Sequence, residues 1–180
     1  MKTIGIVVGS LRKGAFSQSI ADYIASKPVE GFEFKFIEIG NLPLYNQDLD
    51  ENSPAEYVSF RNEVKEVDAV LFVTPEHNRS FPAALKNALD IASRPYGENV
   101  WNGKPAAVIS ESPGAIAGFG AYHHLKQVLG FLNLYVLPQP EAYIGGIMNS
   151  LDENGKVNAD SLKGFLDDFK LAFVDWINKF

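Results

Sequence analysis

The sequence predicts a three-layer α/β fold, a five-stranded parallel sheet with helices on both faces. Short apolar runs such as Ile4–Val8, Ala69–Val73 and Ala106–Ile109 are continuous, as in strands buried on both sides, where a half-exposed strand would alternate. Segments with apolar residues at helical spacing separate them. Strand, polar loop and helix follow one another three times, an order that favours parallel strands joined by right-handed crossovers.

The elements follow in order. Ile4–Val8 is the first strand, and Ile20, Ala21 and Ile24 mark one face of a helix ending before Pro28. Glu33–Ile39 begins by alternating charged and apolar residues, which places this second strand at a sheet edge. Gly40–Pro54 is a long loop carrying Leu44 and Tyr45, suited to a flap or to a packed surface loop. A helix with Tyr57, Phe60, Val64 and Val67 on one face leads to strand three, Ala69–Val73. After the Thr74–Pro82 loop, Leu85, Ala88, Leu89 and Ala92 form a helical stripe, with Pro82 suited to the first turn. Ala106–Ile109 is strand four, and the Ser110–Gly120 loop precedes a helix with Tyr122, Leu125, Leu129 and Leu132. Leu134–Leu137 is a short fifth strand, residues 138–158 read as irregular, and Leu162, Phe165, Leu166, Phe169, Phe173, Trp176, Ile177 and Phe180 give the last helix a broad apolar face. That aromatic area must cover the sheet or, with Tyr122 and Tyr143, another subunit.

With 180 residues, 46% hydrophobic and 21% charged, and without repeat or linker, the chain is expected to form one domain over 1–180. A net charge of −6, spread along the chain, opposes nucleic-acid binding. The absence of cysteine removes disulfides, thiolate nucleophiles and thiolate metal sites, so redox chemistry would need a cofactor. No signal-peptide pattern and no bilayer-length apolar stretch are present, and the cytoplasm is the expected location, with no membrane partner.

In parallel α/β sheets ligands lie outside the carboxyl ends of the strands, which points to the loops after strands one, three and four. In the first, Gly9–Gln18, backbone N–H groups at a helix N-terminus favour an anion, Arg12 and Lys13 add positive charge, and Ser10, Ser17 and Ser19 supply hydroxyls. Gly9 to Gly14 has the outer spacing of a nucleoside-triphosphate loop, but Ala15-Phe16 replaces the Lys-Ser/Thr that such a loop needs. A dinucleotide Gly-x-Gly-x-x-Gly is missing too. Taken alone, the loop suits a bound phosphate or a plain capped turn. In the second loop Pro75, Asn78 and Pro82 shape backbone that can read the polar edge of a flat heterocycle, with Glu76 as an acceptor. In the third, small residues from Ser112 through Gly114 to Gly118 allow close backbone approach. His123 and His124 are adjacent on a helix and diverge by about 100°, so they do not chelate one metal, and no metal site is expected. No Ser/His/Asp triad or Gly-x-Ser-x-Gly elbow can be assigned.

Gly9-Ser10-Leu11-Arg12 with Ser17, Thr74 to Pro82 leading into Leu85-Lys86-Asn87-Ala88-Leu89-Asp90, and Gly114 to Gly120 together resemble the NADPH-dependent FMN reductases, especially the chromate and quinone reductase branch. The resemblance extends to Pro140-Glu141 and Gly145-Gly146. It implies a flavodoxin-like sheet of order 2-1-3-4-5, FMN as cofactor, NADPH or NADH as electron donor, and a homodimer or homotetramer. It also implies ping-pong hydride transfer to a small acceptor, whether quinone, chromate, azo compound or free flavin. Ser10, Arg12, Ser17 and Gln18 would hold the FMN phosphate. Pro75, Glu76, His77 and Asn78 would line the isoalloxazine, and Ser112, Gly114 and Gly118 its other edge. Tyr45, His77, Arg79 and Phe81 are candidate rim residues for the substrate, and no side chain is assigned as catalytic because the flavin carries the chemistry. Two departures stand out: His77 where relatives often carry Tyr, and Ala117-Gly118-Phe119-Gly120-Ala121 where they are often Gly-Gly-rich and followed by Arg. The alternatives are a flavodoxin-like electron carrier without NAD(P)H activity and a phosphate-ligand module without flavin.

Overall fold

The computed structural model describes residues 1–180. Lys2–Val8 (β1), Phe32–Phe36 (β2), Ala69–Pro75 (β3), Pro105–Ser112 (β4), Tyr135–Val136 (β5) and Ala142–Gly145 (β6) form one parallel sheet. The order is β2-β1-β3-β4-β5, with β6 also on β4, so chain direction across the sheet reverses between β1 and β3. Helices Phe16–Ala25 (α1), Ala55–Glu66 (α2), Ala83–Ala92 (α3), Phe119–Phe131 (α4) and Asp160–Ile177 (α5) cover it.

The period-two geometry of strands sorts residues between two cores. Val70, Phe72 and Val108 face Tyr57, Phe60, Leu85, Leu89, Trp101 and Leu125 beneath α2, α3 and α4. Ile6, Leu71, Val73 and Ile109 face Ile20, Ile24, Leu166, Phe169 and Phe173 beneath α1 and α5. Burying each such large side chain contributes roughly 1.5–3 kcal/mol before the entropy of ordering it is counted. The α5 aromatics are therefore mostly spent on the sheet. Tyr122 is fully buried and Tyr143 partly so, and neither supplies the open interface area that the sequence suggested.

The fifth strand differs from expectation. Tyr135–Val136 pairs with Pro105–Ala106, and Ala142–Gly145 pairs with Ile109–Ser112, so β5 and β6 run in line along β4 and are interrupted at residues 137–141. Pro138 and Pro140 lack the N–H that a ladder requires, which explains the break. Within the stretch read as irregular, Ala142 and Ile144 point into the core and restart the strand. Strand two is also shorter than Glu33–Ile39, although Ile37 still donates to the Ile6 carbonyl.

The Gly40–Pro54 segment is a packed loop. Asn87, buried on α3, accepts from Tyr45 N at 2.7 Å and donates to the Leu42 and Pro43 carbonyls at 3.4 and 2.9 Å. Tyr57 donates to the Leu44 carbonyl at 2.7 Å, and Arg94 holds Asp50 with two hydrogen bonds at 3.0 and 2.7 Å. Asn87→Ala leaves three backbone groups without partners and is expected to cost about 2 kcal/mol, read by urea denaturation, with faster proteolysis inside residues 40–54. No helix is long and apolar enough to cross a membrane.

Candidate functional site

The turns leaving β1, β3 and β4 meet in one crevice at the carboxyl edge of the sheet. Its deeper part, about 500 Å³, is bounded by Ser10, Arg12 and Phe16 on one side and by Glu76, His77, Glu111 and Ser112 on the other. A shallower part of about 620 Å³ shares Glu76 and Ser112 and continues past Asn78, Arg79, Gly114 and Ile116. Both lie in the usual range for small-molecule sites, roughly 300–1,000 Å³.

The first loop forms because β1 is followed directly by a glycine that no larger residue can replace easily. A Cβ on Gly9 would lie 3.0 Å from Thr74 Oγ1, while Gly9 N donates to the Val73 carbonyl at 2.8 Å. Ser10 Oγ then accepts from Arg12 N at 3.3 Å, and Ala15 N donates to the Arg12 carbonyl at 3.2 Å. The Ala15 carbonyl takes the N–H groups of Gln18 and Ser19, whereas those of Phe16 and Ser17 donate to no carbonyl of the chain. Ser17 Oγ is buried without a partner, and the Arg12 guanidinium lies 4.9 Å from the Phe16 ring centroid. Unpaired helix N–H groups, a hydroxyl and a guanidinium together make an anion site.

Glu111, not among the residues expected from the sequence, closes the same end. It sits near the end of β4, only 2% exposed, and its Oε2 has no partner. Burial pushes its pKa up to about 7, against the opposing pull of the Ser17 backbone, the Arg12 charge and the Ser17 hydroxyl.

In the second loop His77 N and Ser80 O bond at 2.8 Å and Ser80 N and His77 O at 2.9 Å, closing a two-residue turn over Asn78 and Arg79. Both central residues have positive φ, 51° and 67°. Asparagine accepts this conformation readily, while arginine is strained in it. Glu76 compensates: Oε1 accepts from Arg79 Nη1 at 3.0 Å and Oε2 from Ala121 N at 3.2 Å, which docks the turn on the start of α4. Ser80 Oγ and His124 Nδ1 lie 2.8 Å apart, and Phe81 meets the His124 ring edge-on at 5.3 Å. His123 points away to the Tyr143 hydroxyl at 2.9 Å, so the two histidines diverge as their helical spacing requires.

The third loop reaches α4 through Ala117 and Gly118, with φ of 60° and 74°. A Cβ on Gly118 would fall 2.9 Å from Ser110 Cβ. Ser110 Oγ fixes the bend by donating to the Ala117 carbonyl at 3.0 Å, and Ser112 Oγ accepts from Gly114 N at 3.1 Å. Gly145 of β6 packs behind it, where an added Cβ would lie 3.1 Å from the Gly114 carbonyl.

The expected residues Gly118, Gln18, Tyr45 and Phe81 do not line the crevice, and the first, Gly118, is buried in the bend against Ser110. Gln18 follows Ser17 around the helix and faces outward, donating to Asp22 Oδ1 at 2.7 Å beside a separate hollow that contains Gly155 and Lys156. Tyr45 does not line the crevice, because Asn87 holds its backbone and its hydroxyl donates to Asp50. Phe81 is buried against His124 and so is not a rim residue. Arg79 and the exposed Ile116 occupy the rim. Leu11, Phe16 and Ile116, not expected from the sequence, also line the crevice; the signal for them is a large apolar side chain inside a polar loop.

A doubly covered parallel sheet with this crevice at its switch point is the architecture of flavodoxin-like proteins. Residues 1–149 match the family model for NADPH-dependent FMN reductase, and the chain belongs to that family. It is 48% identical over 176 residues to a quinone reductase of Pseudomonas putida, covering 97% of this chain and 94% of the relative. A 2-hydroxy-1,4-benzoquinone reductase of a Burkholderia species is 42% identical over 174 residues, covering 97% and 95%. The solved structure of FerB, a flavoenzyme NAD(P)H:(acceptor) oxidoreductase from Paracoccus denitrificans, superposes with a TM-score of 0.90 at 42% identity, covering 99% of this chain and 98% of that one.

Proposed function

We propose that the chain is an FMN-dependent NAD(P)H oxidoreductase that reduces quinones, its 180 residues working as one domain. The convergence of three loops on a crevice with an anion-selective end carries this reading. The Ser17 hydroxyl, which has no partner, and the Phe16 and Ser17 N–H groups, which bond no carbonyl of the chain, fit the FMN phosphate, with Ser10 and Arg12 beside them. The polar backbone of the Glu76–Arg79 turn and the Ser112–Gly118 loop fits the two edges of a flat ring, with His77 and Asn78 beside the ring. When bound, FMN would supply the redox chemistry, two-electron transfer between NAD(P)H and the acceptor.

The chain's own residues position and shield. Arg12 neutralises phosphate charge, and Glu76 fixes the turn through Arg79 and Ala121. The open side beyond Ile116 gives nicotinamide and quinone access in succession, consistent with a ping-pong order in which no side-chain acid or base is obligatory. Chromate, azo compounds and free flavin are further acceptors on this reading. The same reading takes the protein to be cytoplasmic and a homodimer or homotetramer; exposed Phe119 and Phe131 on α4 support the association, which sedimentation tests.

Purified protein is expected to be yellow, to be bleached anaerobically by NADPH or NADH without a partner protein, and to recover colour with a benzoquinone. A colourless protein that neither binds added FMN nor oxidises NAD(P)H would refute the proposal, and a yellow protein inert to both nicotinamides would be an electron carrier instead. Arg12→Ala is expected to weaken FMN binding about tenfold, the scale of one charge-assisted hydrogen bond, and to leave riboflavin binding unchanged when both are followed by flavin fluorescence.

A further inference from the structure

Glu111 is anomalous within the proposed phosphate site. Its side chain lies on the α1 face of β4, as does that of Ile109, and borders the crevice near Ser10 and Arg12. A carboxylate there offers acceptors to the end of α1 that the phosphate would use. Yet the pairing with Ser17 is incomplete: the Ser17 N–H and hydroxyl act on the carboxyl, but Oε2 and Ser17 Oγ are both buried and neither closes a hydrogen bond of good geometry. Two adjacent buried polar groups without partners are costly, and a ligand that satisfies both relieves both. A phosphate oxygen accepts from the Ser17 N–H and hydroxyl, but from Glu111 it can accept only if that carboxyl carries a proton.

We propose that Glu111 is the resident anion of the phosphate site, and that FMN binds with uptake of one proton by Glu111, whose protonated carboxyl donates to a phosphate oxygen. The inference rests on the FMN reading given above. The balance is simple: the ionised carboxyl, one proton from solvent and FMN give the neutral carboxyl and bound FMN.

The surroundings of Glu111 favour this step. Its partners on the flanking strands, Pro75 and Ile144, carry no charge. From α1 the polar group acting on it is Ser17, and from the first loop the charge acting on it is Arg12. Across the crevice stand His77 and Glu76, the latter already engaged by Arg79 and Ala121 N. Arg12 therefore serves two anions when the carboxyl is ionised and one when it is neutral. With burial pushing the Glu111 pKa up to about 7, the proton is accessible near neutrality.

The test is FMN affinity of the flavin-free protein, by fluorescence quenching from pH 6.5 to 9, for wild type, Glu111→Gln and Glu111→Ser, with riboflavin in parallel. Far-ultraviolet circular dichroism checks folding. Wild-type affinity for FMN is expected to fall about tenfold per pH unit above pH 7.5, while both variants stay flat and bind FMN at least tenfold more tightly than wild type at pH 8.5. Riboflavin, without a phosphate, should show no such slope with any of the three proteins. The FMN phosphate itself titrates near pH 6, below this window, and equally for all three. Calorimetry at pH 8 in buffers of different ionisation enthalpy should show about one proton taken up per FMN by wild type and none by Glu111→Gln. Tight FMN binding by wild type with no slope, or the same slope in the variants, overturns the role of Glu111 and leaves the FMN reading intact. Failure of all three to bind FMN at any pH overturns both.

Discussion

Gly120→Ala is expected to weaken FMN binding by roughly 30- to 100-fold and to destabilise the fold by about 2–3 kcal/mol. An added Cβ would stand 2.8 Å from the Arg79 carbonyl oxygen and 3.0 Å from Glu76 Oε2. The nearer atom belongs to the backbone of the turn and cannot rotate away, so the turn and α4 must separate. Separation stretches the Ala121 N to Glu76 bond and the Ser80–His124 contact, which hold the strained Asn78-Arg79 turn in place. Overpacking of this kind costs about 1–3 kcal/mol, and the lost hydrogen bond adds about 1 kcal/mol.

The sign is diagnostic, because glycine to alanine inside a helix normally stabilises by up to about 1 kcal/mol. Gly130 lies on the exposed face of the same helix with nothing within 4 Å of an added Cβ. Gly130→Ala should therefore stabilise by about 0.5–1 kcal/mol and leave FMN affinity unchanged. Urea denaturation and FMN titration of the pair check this, and equal behaviour of the two variants would remove the turn–helix contact from the account of the site.

How much of this was legible in the sequence depended on how local each signal was. The central strands β1, β3 and β4 announced themselves because burial on both faces makes them continuous apolar runs. β6 did not, since four residues between prolines and a glycine pair leave too short a pattern to separate from a loop. Interleaving of β1 between β2 and β3 followed from the family resemblance, because periodicity says nothing of strand order.

In the site, the anion loop could be read from its own serines, arginine and helix start. Glu111 could not: it follows an apolar strand as an apparently ordinary acidic residue, and only the strand register turns it inward against Ser17. Tyr45 and Phe81 failed in the opposite way. An aromatic residue in a polar loop looks like a rim, but Asn87 and His124, 42 and 43 residues further along, draw these two away from the crevice. His123 and His124 gave no sequence clue to their partners, and the contact of His124 with the Ser80 turn is a tertiary fact.

The stability of the flavin-free protein is expected to fall as pH rises from about 4.5 to 7, by up to about 3 kcal/mol, through Glu111 alone. Its pKa is near 7 in the folded chain and near 4.5 when exposed. The folded state therefore holds a proton that the unfolded state has already released, and across this window protons favour folding. The contribution is fully present below pH 4.5 and is lost as pH rises through 7, at about 1.4 kcal/mol for each unit separating the two values. Above pH 7 both states are ionised at this site and its slope vanishes. Glu111→Gln removes the difference, so wild type minus variant isolates Glu111 from every other titrating group. The variant should be more stable by about 2–3 kcal/mol at pH 8 and nearly equal to wild type at pH 4.5, in urea denaturation at each pH. Saturating FMN should move the wild-type loss to higher pH, because a phosphate that accepts from the neutral carboxyl holds its proton more tightly. The same proton then governs two measurements: the pH slope of FMN affinity must equal the change that FMN produces in the pH slope of stability. A wild type whose stability runs parallel to that of the variant from pH 4.5 to 8 would mean that Glu111 is ionised in the folded chain throughout, with its charge already satisfied by Arg12 and Ser17.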